Sequence, residues 1–182
     1  MTTPPEPTIR TLDSTVVYTN PWITLREDRI QHPDGTHGIY SVLDRPDFAL
    51  VIPMENDGFH LVEEYRYPIG RRSWSFPQGS VPHSPSPLDT AHTELTEETG
   101  LTAASMTHLG RLDTAHGNTG QRFDAFLATA LTPGTPNREH TEQDMRHGWF
   151  PRTDLEQMII NGVITDSCSI AAYTLLLLHT PR

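Results

Sequence analysis

Three glutamates near the end of one predicted helix are the residues best suited to chemistry in this sequence. Glu94, Glu97 and Glu98 stand at i, i+3 and i+4, which places their carboxylates on neighbouring positions of one helix face. Their repulsion and the helix dipole both oppose negative charge there. A divalent cation reverses that cost, because Mg²⁺ takes hard oxygen ligands from carboxylates and substrate phosphates. The trio therefore indicates either a metal site or a solvated acidic face.

The helix that carries these acids has recognisable ends. Ser86 can accept a hydrogen bond from the backbone N–H of Asp89 as the N-cap, and Pro87 suits the first helical position. Gly100 suits the left-handed residue that follows a last turn. The sequence therefore predicts a helix over residues 87–99.

This predicted helix also has an apolar face. Leu88, Ala91 and Leu95 recur at the spacing of one helix side, so we expect all three to face the core. The acids then lie beside the apolar stripe.

The first half of the chain has the composition of strands separated by tight turns. β-branched and aromatic residues are concentrated in five runs, at residues 15–19, 23–31, 38–44, 48–54 and 60–66. Asp34-Gly35 and Asn56-Asp57-Gly58 supply the positive-φ positions of hairpin turns. The sequence therefore predicts two hairpins.

The second half mixes strands and helices. Strand-like composition returns at residues 105–112 and 122–130, and a polar segment at 133–146 has the composition of a long loop. Thr153 and Glu156 form a capping-box signature for a helix that Gly162 ends, and a last helix is predicted over 167–179. Cys168 is the single cysteine, so we expect it to fill that helix interface rather than to act as a nucleophile.

Size and charge exclude some classes of protein. With 182 residues, we expect a mobile tail at 1–12 and one domain at 13–182. The net charge of −10 opposes binding to nucleic acid, which needs a basic surface. No targeting signal or membrane-spanning run is evident, so the sequence predicts a cytoplasmic protein without a membrane partner.

The acids belong to a longer motif. From Gly79 to Glu94-Leu95-Thr96-Glu97-Glu98-Thr99-Gly100-Leu101, the segment resembles the Nudix box, a loop and helix motif. Two positions depart from that pattern, because Pro85 stands at its first Glu and Thr93 at its Arg. In the family that Arg helps to orient a catalytic Glu and the first Glu supports the loop. The ligand-type carboxylates remain, so the resemblance implies a working site with an unusually shaped loop before Ser86.

Other segments resemble the ADP-ribose pyrophosphatase branch of this family. They are Leu61-Val62-Glu63-Glu64-Tyr65-Arg66-Tyr67-Pro68, Trp74-Ser75-Phe76-Pro77-Gln78-Gly79 and Ile164-Thr165-Asp166-Ser167. The resemblance covers residues 15–180 and implies an α/β (α+β) Nudix fold, an α/β/α sandwich with a mixed β-sheet. It also implies an N-terminal antiparallel strand unit at 13–46, used in a homodimer, and a catalytic core at 47–182.

The same resemblance assigns a metal site. The backbone carbonyl of Gln78 and the carboxylates of Glu94 and Glu98 would bind Mg²⁺, with Mn²⁺ as a substitute. Glu97 would share a second ion or position water. Such an ion neutralises charge on a diphosphate and lowers the pKa of a bound water.

Further residues are candidates for the base and for substrate contacts. A late loop carries Glu139, Glu142 and Asp144, of which Glu142 is our first choice for the base, with ordinary solvated acids as the alternative. Trp22 can stack on a nucleobase or fill the core. The guanidinium groups that match phosphate oxygens are those of Arg66, Arg71 and Arg72, the last two of which can equally be surface charges.

The resemblance implies Mg²⁺-dependent hydrolysis of a small phosphoanhydride, with ADP-ribose or a nucleotide sugar preferred. The products would be a nucleoside monophosphate and a phosphorylated second moiety. Two alternatives stay open. One is a catalytically impaired nucleotide-binding or regulatory module, which Pro85 and Thr93 motivate. The other is a Nudix hydrolase of nucleoside triphosphates, dinucleotides or isoprenoid diphosphates.

Overall fold

The computed structural model describes residues 8–80, 86–138 and 140–179. The chain divides into two compact units. The first, here called the strand unit, comprises Met1–Pro46 and Asp113–Gln121. The second, here called the core unit, comprises Asp47–Leu112 and Arg122–Arg182. The sequence did not predict the return of 113–121 to the strand unit.

The strand unit is built on a three-stranded antiparallel sheet. Its strands are β1 (Arg10–Thr19), β2 (Thr24–Gln31) and β3 (His37–Asp44), in that spatial order. Gly35 has φ 84° in the turn between β2 and β3, as the hairpin prediction requires. Residues 10–12 belong to β1, so that part of the predicted tail is wrong, whereas residues 1–7 of the tail lie outside the described residues.

The returning segment 113–121 is tied to β3 by long-range hydrogen bonds. The backbone N–H of Leu43 donates to the carbonyl of Asn118 at 2.8 Å, and the Tyr40 hydroxyl donates to the carbonyl of Gly117 at 2.8 Å. These bonds join residues more than seventy positions apart in the chain, so no local sequence signal could have predicted them.

The core unit contains a seven-stranded mixed sheet. The strands are β4 (Phe48–Glu55), β5 (Gly58–Arg66), β6 (Arg71–Ser75), β7 (Gln78–Gly79), β8 (Thr102–Asp113), β9 (Arg122–Thr132) and β10 (Arg146–Pro151). Their spatial order is β10-β5-β4-β9-β8, with β6 paired to β5 and β7 paired to β4. Strands β4 and β9 run parallel, whereas β4–β5, β5–β10, β5–β6 and β4–β7 are antiparallel.

The turn between β4 and β5 confirms the second predicted hairpin. Asn56 and Asp57 have φ 50° and 53°, which are the left-handed conformations of a type I′ turn. Asparagine and aspartate adopt this region more readily than most residues with a side chain. The turn therefore sets the β4–β5 register, in which Glu55 is opposite Gly58.

Helices cover both faces of this sheet. They are α1 (Pro87–Thr99), α2 (Arg152–Ile160) and α3 (Ser167–His179). The side chains of β4 alternate between two buried clusters, as expected for a central strand. One cluster combines Leu50 and Ile52 with Leu155 of α2 and Leu176 of α3, and the other combines Ala49 and Val51 with Ala91 and Leu95 of α1. The predicted α/β/α sandwich with a mixed sheet is therefore confirmed.

Tertiary packing changed three local predictions. Strand β10 was predicted as part of a loop or left unassigned, but it pairs antiparallel with β5, where Gly148 is opposite Leu61. Helix α2 begins at Arg152 after Pro151, without a side-chain cap, so Thr153 lies inside its first turn and the capping box is wrong. Leu88 is 41% exposed and does not reach the core, although Ala91 and Leu95 are fully buried.

Cys168 packs against the core, as predicted. Burial, and to a smaller extent the charge of Asp166, raises the pKa of its thiol to about 11, so it is a thiol rather than a thiolate near neutral pH. None of the helices in the described ranges is long and apolar enough to cross a membrane.

Candidate active site

Helix α1 presents its acids at a defined place because both of its ends are capped. The Asp89 N–H donates to Ser86 Oγ at 3.2 Å, and Gly100 adopts φ 75° while its N–H donates to the Thr96 carbonyl. The predicted bounds and caps of this helix are confirmed. Its last two turns therefore project Glu94, Glu97 and Glu98 from a rigid element.

Two of the three glutamates are buried. Glu94 is 7% exposed and Glu98 is 2% exposed, whereas Glu97 is half-buried. A solvated acidic face is therefore wrong for Glu94 and Glu98. Burying a carboxylate is costly unless it is paired or binds a cation, so these positions demand a chemical explanation.

Strand β7 contacts both buried acids. The Gln78 N–H donates to Glu98 Oε2 at 3.2 Å. A Cβ atom on Gly79 would lie 2.5 Å from the Cδ and Oε2 atoms of Glu94, so only the absent side chain of glycine lets this carboxylate lie against the backbone. The glycine at the start of the motif is therefore required by contact with Glu94, fifteen residues later in the chain.

The side chain of Gln78 supplies an additional oxygen atom. Its Nε2 donates to Asp166 Oδ2 at 3.3 Å, and Asp166 also accepts from the Ser169 N–H in the first turn of α3. Gln78 Oε1 is buried and has no hydrogen-bond partner among the described residues. A buried amide oxygen of this kind matches the hard oxygen donors that Mg²⁺ prefers.

The charges of three other carboxylates act on Glu98. Burial raises the pKa of Glu98 well above its usual value, and the charges of Glu94, Glu142 and Glu64 raise it further, while the Gln78 N–H opposes the rise. Burial also raises the pKa of Glu64, against the opposing charge of Arg66. We call Glu64, Glu94, Glu98 and Glu142 the acid cluster. A cation among them would remove this repulsion.

The acid cluster is open rather than a preformed cage. Within the described ranges, no three His, Cys, Asp or Glu side chains are arranged as ligands of one metal ion. Mg²⁺ is usually held by one or two carboxylates together with water and substrate phosphates. The buried Glu94 and Glu98, with the oxygen atoms of Gln78, fit that manner of binding.

The three acids of the late loop differ in their surroundings. Glu142, in a 3₁₀ turn at His140–Glu142, is the one whose charge acts on Glu98. Asp144 instead forms an ion pair with Arg72 at 2.6 Å. Glu139 lies outside the described residues. Glu142 therefore remains the candidate base.

The three candidate phosphate-binding arginines differ in their contacts. Arg72 donates to Glu63 Oε2 and Asp144 Oδ2, and also to the backbone carbonyls of both residues, so its guanidinium is occupied by the protein. Arg71 donates to Thr165 Oγ1 at 2.7 Å. Arg66 pairs with Glu64 at 2.6 Å, which brings this cation to the acid cluster.

Trp22 lies in the strand unit and is not a core residue. It is 72% exposed, so the core alternative is wrong. Asn20 Oδ1 accepts from the N–H groups of both Trp22 and Ile23 at 2.9 Å, which holds the turn. The indole borders an open pocket of ≈ 260 Å³ whose polar lining includes Asp44 and Arg45.

Three residues of the site were not singled out from the sequence. Glu64 stood in one of the segments that carry the family resemblance, but it was given no role there. Asp166 also stood in such a segment without a role, and the structure shows that it accepts from the Ser169 N–H at the start of the last helix. Arg138, which donates to the Glu98 carbonyl at 3.2 Å, stands in a polar segment with no local pattern to mark it.

Two protein families match successive parts of the chain. Residues 9–43 match a family described as the nucleoside diphosphate sugar hydrolase N-terminal domain, and residues 44–171 match the NUDIX domain. The match boundary coincides with the end of the β1–β3 sheet.

Individual proteins resemble the chain along most of its length. An ADP-ribose pyrophosphatase of Mycobacterium tuberculosis (strain ATCC 25618 / H37Rv) is 33% identical over 164 residues, covering 88% of this chain and 79% of that protein. An ADP-ribose pyrophosphatase of Bacillus subtilis (strain 168) is 26% identical over 136 residues, covering 74% of each. A crystal structure described as an ADP compounds hydrolase has a TM-score of 0.84 over 93% of this chain and 92% of its own, at 18% identity, which is a likeness of fold.

Proposed function

Because this chain belongs to the Nudix family, we propose that it hydrolyses the diphosphate bond of ADP-ribose or a similar nucleoside-diphosphate derivative. The products are a nucleoside monophosphate and a phosphorylated second moiety. The observation that carries the proposal is the burial of Glu94 and Glu98 against β7, with Glu64 and Glu142 close enough to raise the pKa of Glu98. Relatives named ADP-ribose pyrophosphatase support the choice of substrate class.

We propose Mg²⁺ as the cofactor, with Mn²⁺ as a substitute. Glu94 and Glu98 would hold the ion together with Gln78 oxygen atoms, and Glu97 would hold a second ion or position water. When bound, the ion would neutralise charge on the diphosphate and lower the pKa of a bound water towards neutral pH. Hard oxygen donors are the right set for either metal.

The chain's own residues perform the other steps. Glu142 is proposed to accept the proton of the attacking water, since its charge is within electrostatic reach of Glu98. Arg66 is proposed to contact a substrate phosphate from its position beside Glu64. Arg71 is a second phosphate candidate, whereas Arg72 would first have to release Glu63 and Asp144.

Trp22 is proposed as a nucleobase contact. Its exposed ring offers a flat apolar face beside a pocket that also contains Arg45. Replacing Trp22 with Ala should then raise KM for ADP-ribose several-fold. An unchanged KM would remove Trp22 from the binding site.

The proposed activity is tested by incubating the purified chain with ADP-ribose and Mg²⁺ and separating the products by anion-exchange chromatography. We expect AMP and ribose 5-phosphate, no turnover with EDTA, and recovery when Mg²⁺ or Mn²⁺ is restored. Nucleotide sugars, NADH, nucleoside triphosphates and isoprenoid diphosphates form the comparison panel.

The alternative is a nucleotide-binding module without catalytic activity, which Thr93 and Pro85 suggested. It would be supported if calorimetry showed that ADP-ribose binds while no substrate of the panel gave a product. Pro85 lies outside the described residues.

We also propose a homodimer formed through the strand unit. Large apolar side chains are exposed on its first and third strands, which is unusual for a surface that stays in water. They are Leu12, Val16, Val17, Tyr18 and Ile39. Light scattering at micromolar concentration should give twice the chain mass, and Val17→Asp should halve it. A monomer mass for the unaltered chain would contradict the proposal.

A further inference from the structure

Helix α1 contains acids but no cation of its own. Its sequence has no Lys or Arg, and its last turn has no basic residue to match the helix dipole. Glu97 and Glu98 therefore lie where the carbonyl groups at the helix end already concentrate negative potential. A positive group from another part of the chain is needed there.

Arg138 supplies that positive group. Its Nε donates to the Glu98 carbonyl at 3.2 Å, and the neighbouring Asn137 N–H donates to the Glu97 carbonyl at 3.1 Å. The backbones also touch, because a Cβ on Gly100 would lie 2.7 Å from the Gly134 carbonyl oxygen. The segment at 134–138 thus lies directly across the end of α1.

The same arginine holds the loop that carries Glu142. Its Nη1 donates to the Met145 carbonyl, and its own carbonyl accepts from Gln143 Nε2 at 3.0 Å. The Met145 N–H in turn donates to the Glu142 carbonyl at 2.9 Å, which closes the turn after the 3₁₀ segment. Met145 is 3% exposed, so this anchor is buried.

We propose that Arg138 is a positioning residue that sets the distance between Glu142 and the metal-binding end of α1. One guanidinium bonds the backbone at Glu98 and the backbone that follows Glu142, so it links the two carboxylates through main-chain contacts. This inference rests on the proposed hydrolase function, in which Glu142 acts on water held near Glu98. Lysine cannot replace it fully, because an ammonium lacks the planar fork that spans two carbonyl groups.

Kinetic coupling between Arg138 and Glu142 tests the proposal. We expect Arg138→Ala to lower kcat about tenfold to a hundredfold with little change in KM, because misplacement of a catalytic group by about 1 Å has effects of this size. In the Glu142→Gln background the same substitution should change kcat less than about twofold, since residues that act as a unit are not additive. Arg138→Lys should be intermediate. Arg122→Ala is the matched control, because Arg122 is exposed and its guanidinium pairs with Asp47, at 3.7 Å, rather than with the loop or with α1.

A second measurement does not depend on turnover. Hydrogen exchange at the Met145 amide, which is bonded to the Glu142 carbonyl, should speed up in Arg138→Ala and not in Arg122→Ala. An unchanged kcat, equal losses in the two Glu142 backgrounds, or unchanged exchange at Met145 would each overturn the proposal. If the unaltered chain hydrolysed nothing, the proposed function would fail, and the exchange result alone would decide whether Arg138 holds the loop.

Discussion

Replacement of Glu98 by Gln should lower kcat for ADP-ribose hydrolysis by roughly 10²–10⁴-fold, the range expected when charge or proton-transfer chemistry is lost from a site. Glutamine keeps the shape of the side chain and can still accept from the Gln78 N–H. It removes the negative charge that we propose binds the metal ion. The loss should appear in kcat measured at saturating ADP-ribose across a Mg²⁺ titration.

The same substitution should not destabilise the metal-free protein. Burial raises the pKa of Glu98, so the folded state binds this proton more tightly than the unfolded state does. The wild-type chain without metal therefore loses stability as the pH rises above the ordinary value of 4.5 towards the raised pKa. Glu98→Gln escapes that loss. Urea unfolding in EDTA should show that the free energy of unfolding of the variant, relative to that of the wild type, is higher at pH 8 than at pH 5.

Glu27→Gln provides the control for this experiment. Glu27 is an exposed residue of β2, so the same chemical change there should leave both kcat and the pH dependence of unfolding unaltered. Activity within a few-fold of wild type in Glu98→Gln would refute the proposed metal site. A clear loss of stability at pH 8 would show instead that the Glu98 charge is already compensated within the protein.

Replacement of Gly79 by Ala should lower kcat by about 10²-fold, because the new Cβ forces Glu94 to move and displacements near 1 Å have effects of that size. The Cβ would lie 2.5 Å from Glu94 Cδ and Oε2, closer than these atoms can approach. The neighbour that must move is the end of a flexible side chain rather than backbone. Its rotation costs about 1 kcal/mol, which the stiffer backbone of alanine partly offsets.

Activity and stability should therefore separate in Gly79→Ala. We expect the free energy of unfolding to change by no more than about 1 kcal/mol while Mg²⁺ activation requires a much higher ion concentration. Gly120→Ala is the matched control, since a Cβ there meets nothing within 4 Å. Wild-type turnover in Gly79→Ala would mean that Glu94 is free to move without consequence, and would remove it from the proposed ligand set.

Residues close together in the chain determined the parts of the fold that the sequence predicted. Caps and turns act through hydrogen bonds and φ angles within a few positions, so Ser86 and Gly100 define the ends of α1. Asn56 and Asp57 define their hairpin in the same way. The spacing of Glu94, Glu97 and Glu98 on one helix face also follows from local geometry alone.

Only the tertiary structure decided which charges are available for chemistry. Arg72 is occupied by Glu63 and Asp144, while Glu142 comes close enough to raise the pKa of Glu98. Strand β10 exists because β5 offers a partner edge, although Gly148 and Pro151 interrupt the strand pattern of its own six residues. Burial and ion pairing depend on residues far apart in the chain, and no local pattern encodes which of several similar side chains will meet.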